Sequence, residues 1–128
     1  MLNERRLLQT AVAVLSLVPV IAGSTGVLFG TGMTGSALAD ISTDSHVRYL
    51  SGLLLAIGLG FWSTVPAIER KTARVRLLTA LVVVGGLARL YGVAVQGLPS
   101  APMLFGLGME LVVTPLLCVW QARIAKAA

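Results

Sequence analysis

The chain has 128 residues, of which 56% are hydrophobic and only 12% charged, with a net charge of +5. A soluble domain carries about 25% charged residues, and together with a mean hydropathy of +0.90 this composition points to a bilayer, not to water. The length allows one domain, and its apolar stretches suit helices of the ~20 residues that cross a ~30 Å core, not the ~10-residue alternating strands of a barrel.

Four apolar stretches divide the chain, at about 7–29, 47–68, 77–96 and 102–121. The first is interrupted by Pro19. Its Ser16, Pro19, Gly23, Gly26 and Gly30 recur at three- and four-residue steps and make one small-residue stripe, which lets helix backbones approach closely in lipid. Asn3-Glu4-Arg5-Arg6 ahead of this run resembles a secretory leader, and Ala37-Leu38-Ala39 a cleavage site. That site lies well beyond the run, and 7–29 is long for a leader's apolar core, so a retained span is expected.

Residues 30–44 are rich in Gly, Ser and Thr and read as an external loop. Asp44 or Ser45 is expected to cap the second helix, because a short side-chain oxygen can accept a free first-turn N–H. The second span carries Gly52, Ala56 and Gly60 at four-residue spacing, an expected close-packing face. The third places Gly85, Arg89, Gly92 and Gln96 on one stripe, and the fourth places Gly106, Glu110, Thr114 and Gln121 on another. The link 97–102, Gly-Leu-Pro-Ser-Ala-Pro, is a tight turn that makes these two spans antiparallel neighbours. The expected architecture is an all-α, integral membrane four-helix bundle.

Charge placement orients it. Arg5, Arg6, Arg70, Lys71, Arg74, Arg76, Arg123 and Lys126 fall on one side, Arg48 alone on the other, and Arg89 inside a span. The positive-inside pattern then puts both termini in the cytoplasm, in a multi-pass topology. It also accounts for the basic balance without nucleic acid. The loop with Arg70, Lys71, Arg74 and Arg76 is suited to anionic lipid headgroups.

Arg89 and Glu110 are the charges that apolar spans should not contain. Insertion scales put an isolated mid-helix charge at about 2.5–3.5 kcal/mol unfavourable. Each lies eight residues inside its span from the shared 97–102 turn, roughly 12 Å deep by helix rise. An ion pair between adjacent helices is the first expectation. The plainer reading is a pair that fixes helix register. The functional one is the floor of an outward-opening site, whose guanidinium holds an anionic or quinone-like ligand and whose carboxylate relays a proton. Asp44, His46, Arg48, Tyr49 and Gln96 would form its outer rim, or else serve as caps and headgroup contacts.

Other chemistry is poorly supplied. Asp44-Ser45-His46 are sequence neighbours, and a catalytic triad needs spatial geometry and an oxyanion hole. No GK[ST] follows the glycines. A single histidine gives no bis-histidine haem site and a poor zinc site. One cysteine, Cys118, makes no intrachain disulfide and reads as a small apolar residue. No cofactor and no metal is implied.

Several of these residues agree with a known pattern. Asp44-Ser45-His46-Val47-Arg48-Tyr49-Leu50-Ser51-Gly52, Gly85-Gly86-Leu87-Ala88-Arg89, the Gly97-Leu98-Pro99 turn, and Glu110-Leu111-Val112 with Pro115 and Trp120 resemble the bacterial membrane proteins classed as domain of unknown function 4345. A looser likeness is to the DoxX-like four-span proteins. The resemblance covers essentially the whole chain and implies a four-span membrane fold, with no activity attached. The DoxX-like likeness would imply an accessory role beside a membrane redox enzyme. The expected function is a structural or accessory membrane subunit without catalysis of its own. The second expectation is a small-molecule binding or proton-coupled transport protein using Arg89 and Glu110, and the third a redox-associated subunit. Substrate, protein partners and oligomeric state are not readable from the residues.

Overall fold

The computed structural model describes residues 2–35 and 40–128. The expected cleavage-like triplet Ala37-Leu38-Ala39 lies outside them. Every element among the described residues is helical: α1 (Leu2–Leu15), α2 (Leu17–Phe29), a 3₁₀ turn (Gly30–Thr34), α3 (Ile41–Trp62), a second 3₁₀ segment (Val65–Arg70), α4 (Thr72–Gln96), α5 (Ala101–Gly108), a π turn (Met109–Val113) and α6 (Thr114–Ala127). Three stretches are long and apolar enough to cross a membrane: Asn3–Thr34, Thr72–Gln96 and Ala101–Ala127. The helix α3 is not among them, because Asp44, His46 and Arg48 occupy its first two turns and leave a shorter apolar run. It also begins earlier and ends earlier than the expected 47–68 span. Asp40, not Asp44 or Ser45, is its N-cap, with Thr43 N–H donating to Asp40 Oδ1 at 2.6 Å. It stops at Trp62, four residues before Pro66, the position whose carbonyl a proline ring would crowd. Contacts gather the chain into two compact units, Thr10–Val65 and Met1–Gln9 with Pro66–Ala128.

The Thr10–Val65 unit is built on an antiparallel pair, α2 against α3. Pro19 has no N–H for the Leu15 carbonyl, and the rod formed by α1 and α2 is interrupted at Ser16. Beyond that break the small residues bring the backbones together. A Cβ on Gly23 would lie 2.5 Å from the Leu55 amide nitrogen, and one on Gly58 would lie 2.7 Å from Val20 Cγ2. A Cβ on Gly26 would overlap the Ser51 hydroxyl. Ser16, Gly23, Gly26 and Gly30 are all buried, as the stripe in the first span anticipates. On α3 the packing face is Ser51, Leu55 and Gly58, not the expected Gly52, Ala56 and Gly60. Ala56 is exposed, and a Cβ on Gly52 would meet only Val27, at 3.9 Å. The Trp62 indole N–H donates to the Ala13 carbonyl at 2.9 Å.

In the other unit α4 runs antiparallel to the helical rod of α5, the π turn and α6. Gly97, at φ +97°, turns the chain out of α4, a backbone that residues with a Cβ rarely adopt. At the opposite end of the unit three sequence-distant segments meet. Arg5 donates through Nε to Glu69 Oε2 at 2.7 Å and through Nη2 to the Pro66 carbonyl at 3.2 Å. Arg123 pairs with Glu4 at 2.5 Å. Gln121 donates to the Ile68 carbonyl at 2.8 Å and to Thr72 Oγ1 at 3.0 Å. Leu8, Ile68 and Gln121 are fully buried there. Arg5 beside Glu69 holds that carboxyl below its ordinary value. Along α4 the side chains of Leu77, Val84, Leu87, Tyr91 and Val95 stay exposed, an apolar surface suited to lipid.

Candidate functional site

Arg89 and Glu110, the charges set among apolar residues in mid-helix, are joined directly. Arg89, on α4, donates through Nε to Glu110 Oε2 and through Nη2 to Glu110 Oε1, each at 3.1 Å. Such a two-pronged contact matches the planar guanidinium to the planar carboxylate. The third arm, Nη1, donates to Met103 Sδ at 3.1 Å. The side chains are 33% exposed for Arg89 and 17% for Glu110.

Two local features bring them together. One is Gly86, a turn before Arg89 on the same face. A Cβ there would lie 2.8 Å from Glu110 Cβ and 2.8 Å from Leu111 Cδ2, so glycine is what admits the opposite helix. The stripe expected to make that approach contained Gly85 and Gly92 instead. Neither would bring a Cβ within 4 Å of another heavy atom. The second feature is the π turn Met109–Val113, which contains Glu110. Pro115 follows it closely. A proline lacks an N–H and its ring crowds the carbonyl four residues earlier, here that of Leu111. The Thr114 amide reaches back to the Met109 carbonyl, five residues before it, and the Thr114 hydroxyl donates to the same oxygen at 2.7 Å. The widened turn thus keeps its hydrogen bonds where an α-turn would have met a proline. Single π turns within α-helices are frequent at functional sites.

The expected rim residues fall as follows. Asp44 and Arg48 are joined, with Arg48 Nε donating to Asp44 Oδ2 at 2.7 Å. Arg48 Nη1 also donates to the carbonyls of Val27, at 2.7 Å, and Leu28, at 3.1 Å, so it satisfies the last carbonyls of α2. Asp44 Oδ1 accepts from the Thr31 amide at 3.0 Å and from its hydroxyl at 3.2 Å. The Arg48 and Thr31 hydrogen bonds hold the Asp44 carboxyl below its ordinary value. Gly30 makes room for this cluster, since it sits at φ +56° and any Cβ would overlap the Asp44 carboxylate. His46, Tyr49 and Gln96 are exposed and stand outside these hydrogen bonds. Asp44, His46, Arg48 and Tyr49 belong to the Thr10–Val65 unit, whereas Gln96, Arg89 and Glu110 belong to the other. Among the described residues, no three His, Cys, Asp or Glu side chains gather as they would around a metal ion.

Three participants were not singled out from the sequence. Met103 gives no charge or spacing signal. Gly86 is adjacent to the glycine that was chosen. Thr31 lies in a stretch without helical periodicity. The signal that could have found the π turn is Thr114-Pro115 placed four residues after Glu110 in an otherwise helical run.

No curated protein and no solved structure matches the chain. A family model does, over residues 7–121, which take in all four apolar stretches and their links. With that match, this helical chain of membrane-spanning character belongs to the family described as domain of unknown function (DUF4345).

Proposed function

We propose that this is a small multi-pass protein of a bacterial inner membrane, crossing it four times with both termini in the cytoplasm, and that it serves as a structural or accessory subunit without catalysis of its own. The observation that carries the structural role is the two-pronged contact of Arg89 on Glu110. It balances one charge with the other inside apolar helices and fixes α4 against the π turn. Losing one partner of a buried pair commonly costs about 3–5 kcal/mol in soluble proteins, because the other charge is stranded. In lipid, water defects and snorkelling lessen that penalty. Arg89→Gln and Glu110→Gln should each lower the thermal stability of the purified protein, and the double variant should recover much of the loss. Additive losses would exclude the pair as a unit.

The fourth crossing is assigned to α3. Its apolar run from Tyr49 to Trp62 reaches about 21 Å by helix rise, a short crossing for which Arg48 extends to the headgroups and the bilayer thins locally. The basic end, with Arg70, Lys71, Arg74 and Arg76, would then meet anionic lipid in the cytoplasmic leaflet. Reporter fusions at the C-terminus and near Gly35 test this orientation. A C-terminus reporting from the periplasm would overturn it.

A second reading is a small-molecule binding or proton-coupled transport protein. It is favoured by the exposed third of Arg89 and by the π turn under Glu110.

A further inference from the structure

A guanidinium carries five N–H donors. In Arg89, two are taken by Glu110 and one by Met103, as described above. The remaining two meet no acceptor among the described residues. Arg89 lies seven residues before Gln96, the last residue of α4, or about 10 Å in from the helix end by rise. In a helix that crosses the bilayer, that depth is poor in water, and a donor in hydrocarbon without an acceptor is unfavourable. A third of the side chain is open. The acceptor must come from outside the chain.

Charge decides what kind of acceptor fits. Glu110 already neutralises Arg89. A second carboxylate or a phosphate would leave one uncompensated negative charge in the hydrocarbon, which the low dielectric penalises heavily. A neutral carbonyl oxygen accepts the same two hydrogen bonds and adds no charge. The neighbourhood suits an apolar molecule. Met103 supplies a polarisable thioether, and Gly106 leaves space beside the pair, since a Cβ there would stand 3.9 Å from Glu110 Oε1 and 4.0 Å from Arg89 Cζ.

We propose that Arg89, held by Glu110, presents its two remaining N–H groups to the carbonyl oxygen of a neutral, membrane-dissolved molecule. This rests on the binding reading above and specifies its ligand class. Two sources share the chemistry, a quinone ring and an acyl ester. The test uses the whole chain in a maltoside detergent, which has no carbonyl of its own. The probes are a decyl-substituted benzoquinone, dioctanoylglycerol and decanoate, each titrated against the melting temperature. At least one neutral probe should raise it saturably, and which one does so identifies the source. Decanoate should bind at least roughly tenfold more weakly, as expected when a buried charge is left unbalanced. Arg89→Lys keeps the charge but loses the fork. Gly106→Val fills the space beside the pair and removes neither charge. Each should weaken the neutral probe by roughly tenfold or more, the scale of one lost charged hydrogen bond. Decanoate binding as tightly as the neutral probes, and lost in Arg89→Lys, would overturn the neutral acceptor while keeping the binding site. Saturable binding indifferent to Gly106→Val would place the ligand elsewhere. No response to any probe would remove the binding reading altogether.

Discussion

The two helix pairs of this protein solve one problem in different ways. Between apolar helices in lipid, burying hydrocarbon gives no driving force, because the lipid tails are equally apolar. In α2 and α3 the answer is proximity. Gly23, Gly26 and Gly58 let backbone meet backbone, and dispersion plus close polar contacts hold the pair. In α4 and its partner the answer is charge. One glycine, Gly86, opens a gap, and Arg89 and Glu110 close it. The first device tolerates no added atom. The second tolerates added atoms along most of the helix but neither loss of charge.

This contrast can be broken most sharply at Gly23. Its neighbours are the Leu55 and Ser51 backbones, which cannot rotate aside. Overpacking typically costs about 1–3 kcal/mol, and Gly23→Ala is expected at the top of that range. A melting temperature unchanged by Gly23→Ala would show that the pair is not held by proximity.

A smaller effect is expected from acid. The Arg5 hydrogen bond depresses the Glu69 carboxyl, and Arg48 depresses that of Asp44. A depressed carboxyl stabilises the fold fully above its unfolded value, and the contribution fades as pH falls through the lower folded value. Stability should be flat from neutral pH down to about the ordinary glutamate value of 4.5 and decline below it. Because Arg5 and Arg48 are partly exposed, raised salt should shrink the decline. Glu69→Gln should remove its share, measured as a shallower acid limb of the melting curve. A decline that begins near neutral pH would point to a different group.

The smallest effect is expected at Gly85. A Cβ there has open space, and alanine in place of a mid-helix glycine removes a penalty of roughly 0.5–1 kcal/mol. Gly85→Ala should leave the melting temperature unchanged or raise it slightly. Destabilisation as large as that of Gly23→Ala would mean that the charge-held pair also depends on close packing along its length.

Much of the fold was legible because lipid simplifies the code. Apolar runs near the length of a crossing gave α1 with α2, α4, and the rod ending in α6. The turn at 97–100 followed from Gly97 and Pro99. The side-by-side placement of Arg89 and Glu110 follows from equal distance to that turn. What was illegible depended on the partner. Four-residue spacing says that a face exists, but α3 carries two small-residue faces one residue apart, and only the position of α2 selects Ser51 and Gly58 over Gly52 and Ala56. The choice of Gly86 over Gly85 has the same cause. The cap at Asp40 was passed over because polar residues continue for several positions after it, and any of them could start a helix. The meeting of Glu4 with Arg123 had no local signal, since a single ion pair leaves no periodicity.

That last contact has a consequence for assembly. Arg123 and Glu4 are 119 residues apart. Every partner in the α2–α3 pair, by contrast, lies within Thr10–Val65. A chain made from its N-terminus at about 5–20 residues per second offers this hairpin its contacts once Val65 has been made, before Glu69 or Arg123 exists. Residues 2–9, in contrast, pair with segments made later, Arg5 with Pro66 and Glu69 and Glu4 with Arg123. Glu4 and Arg5 therefore find their partners later in synthesis than any residue of the α2–α3 pair.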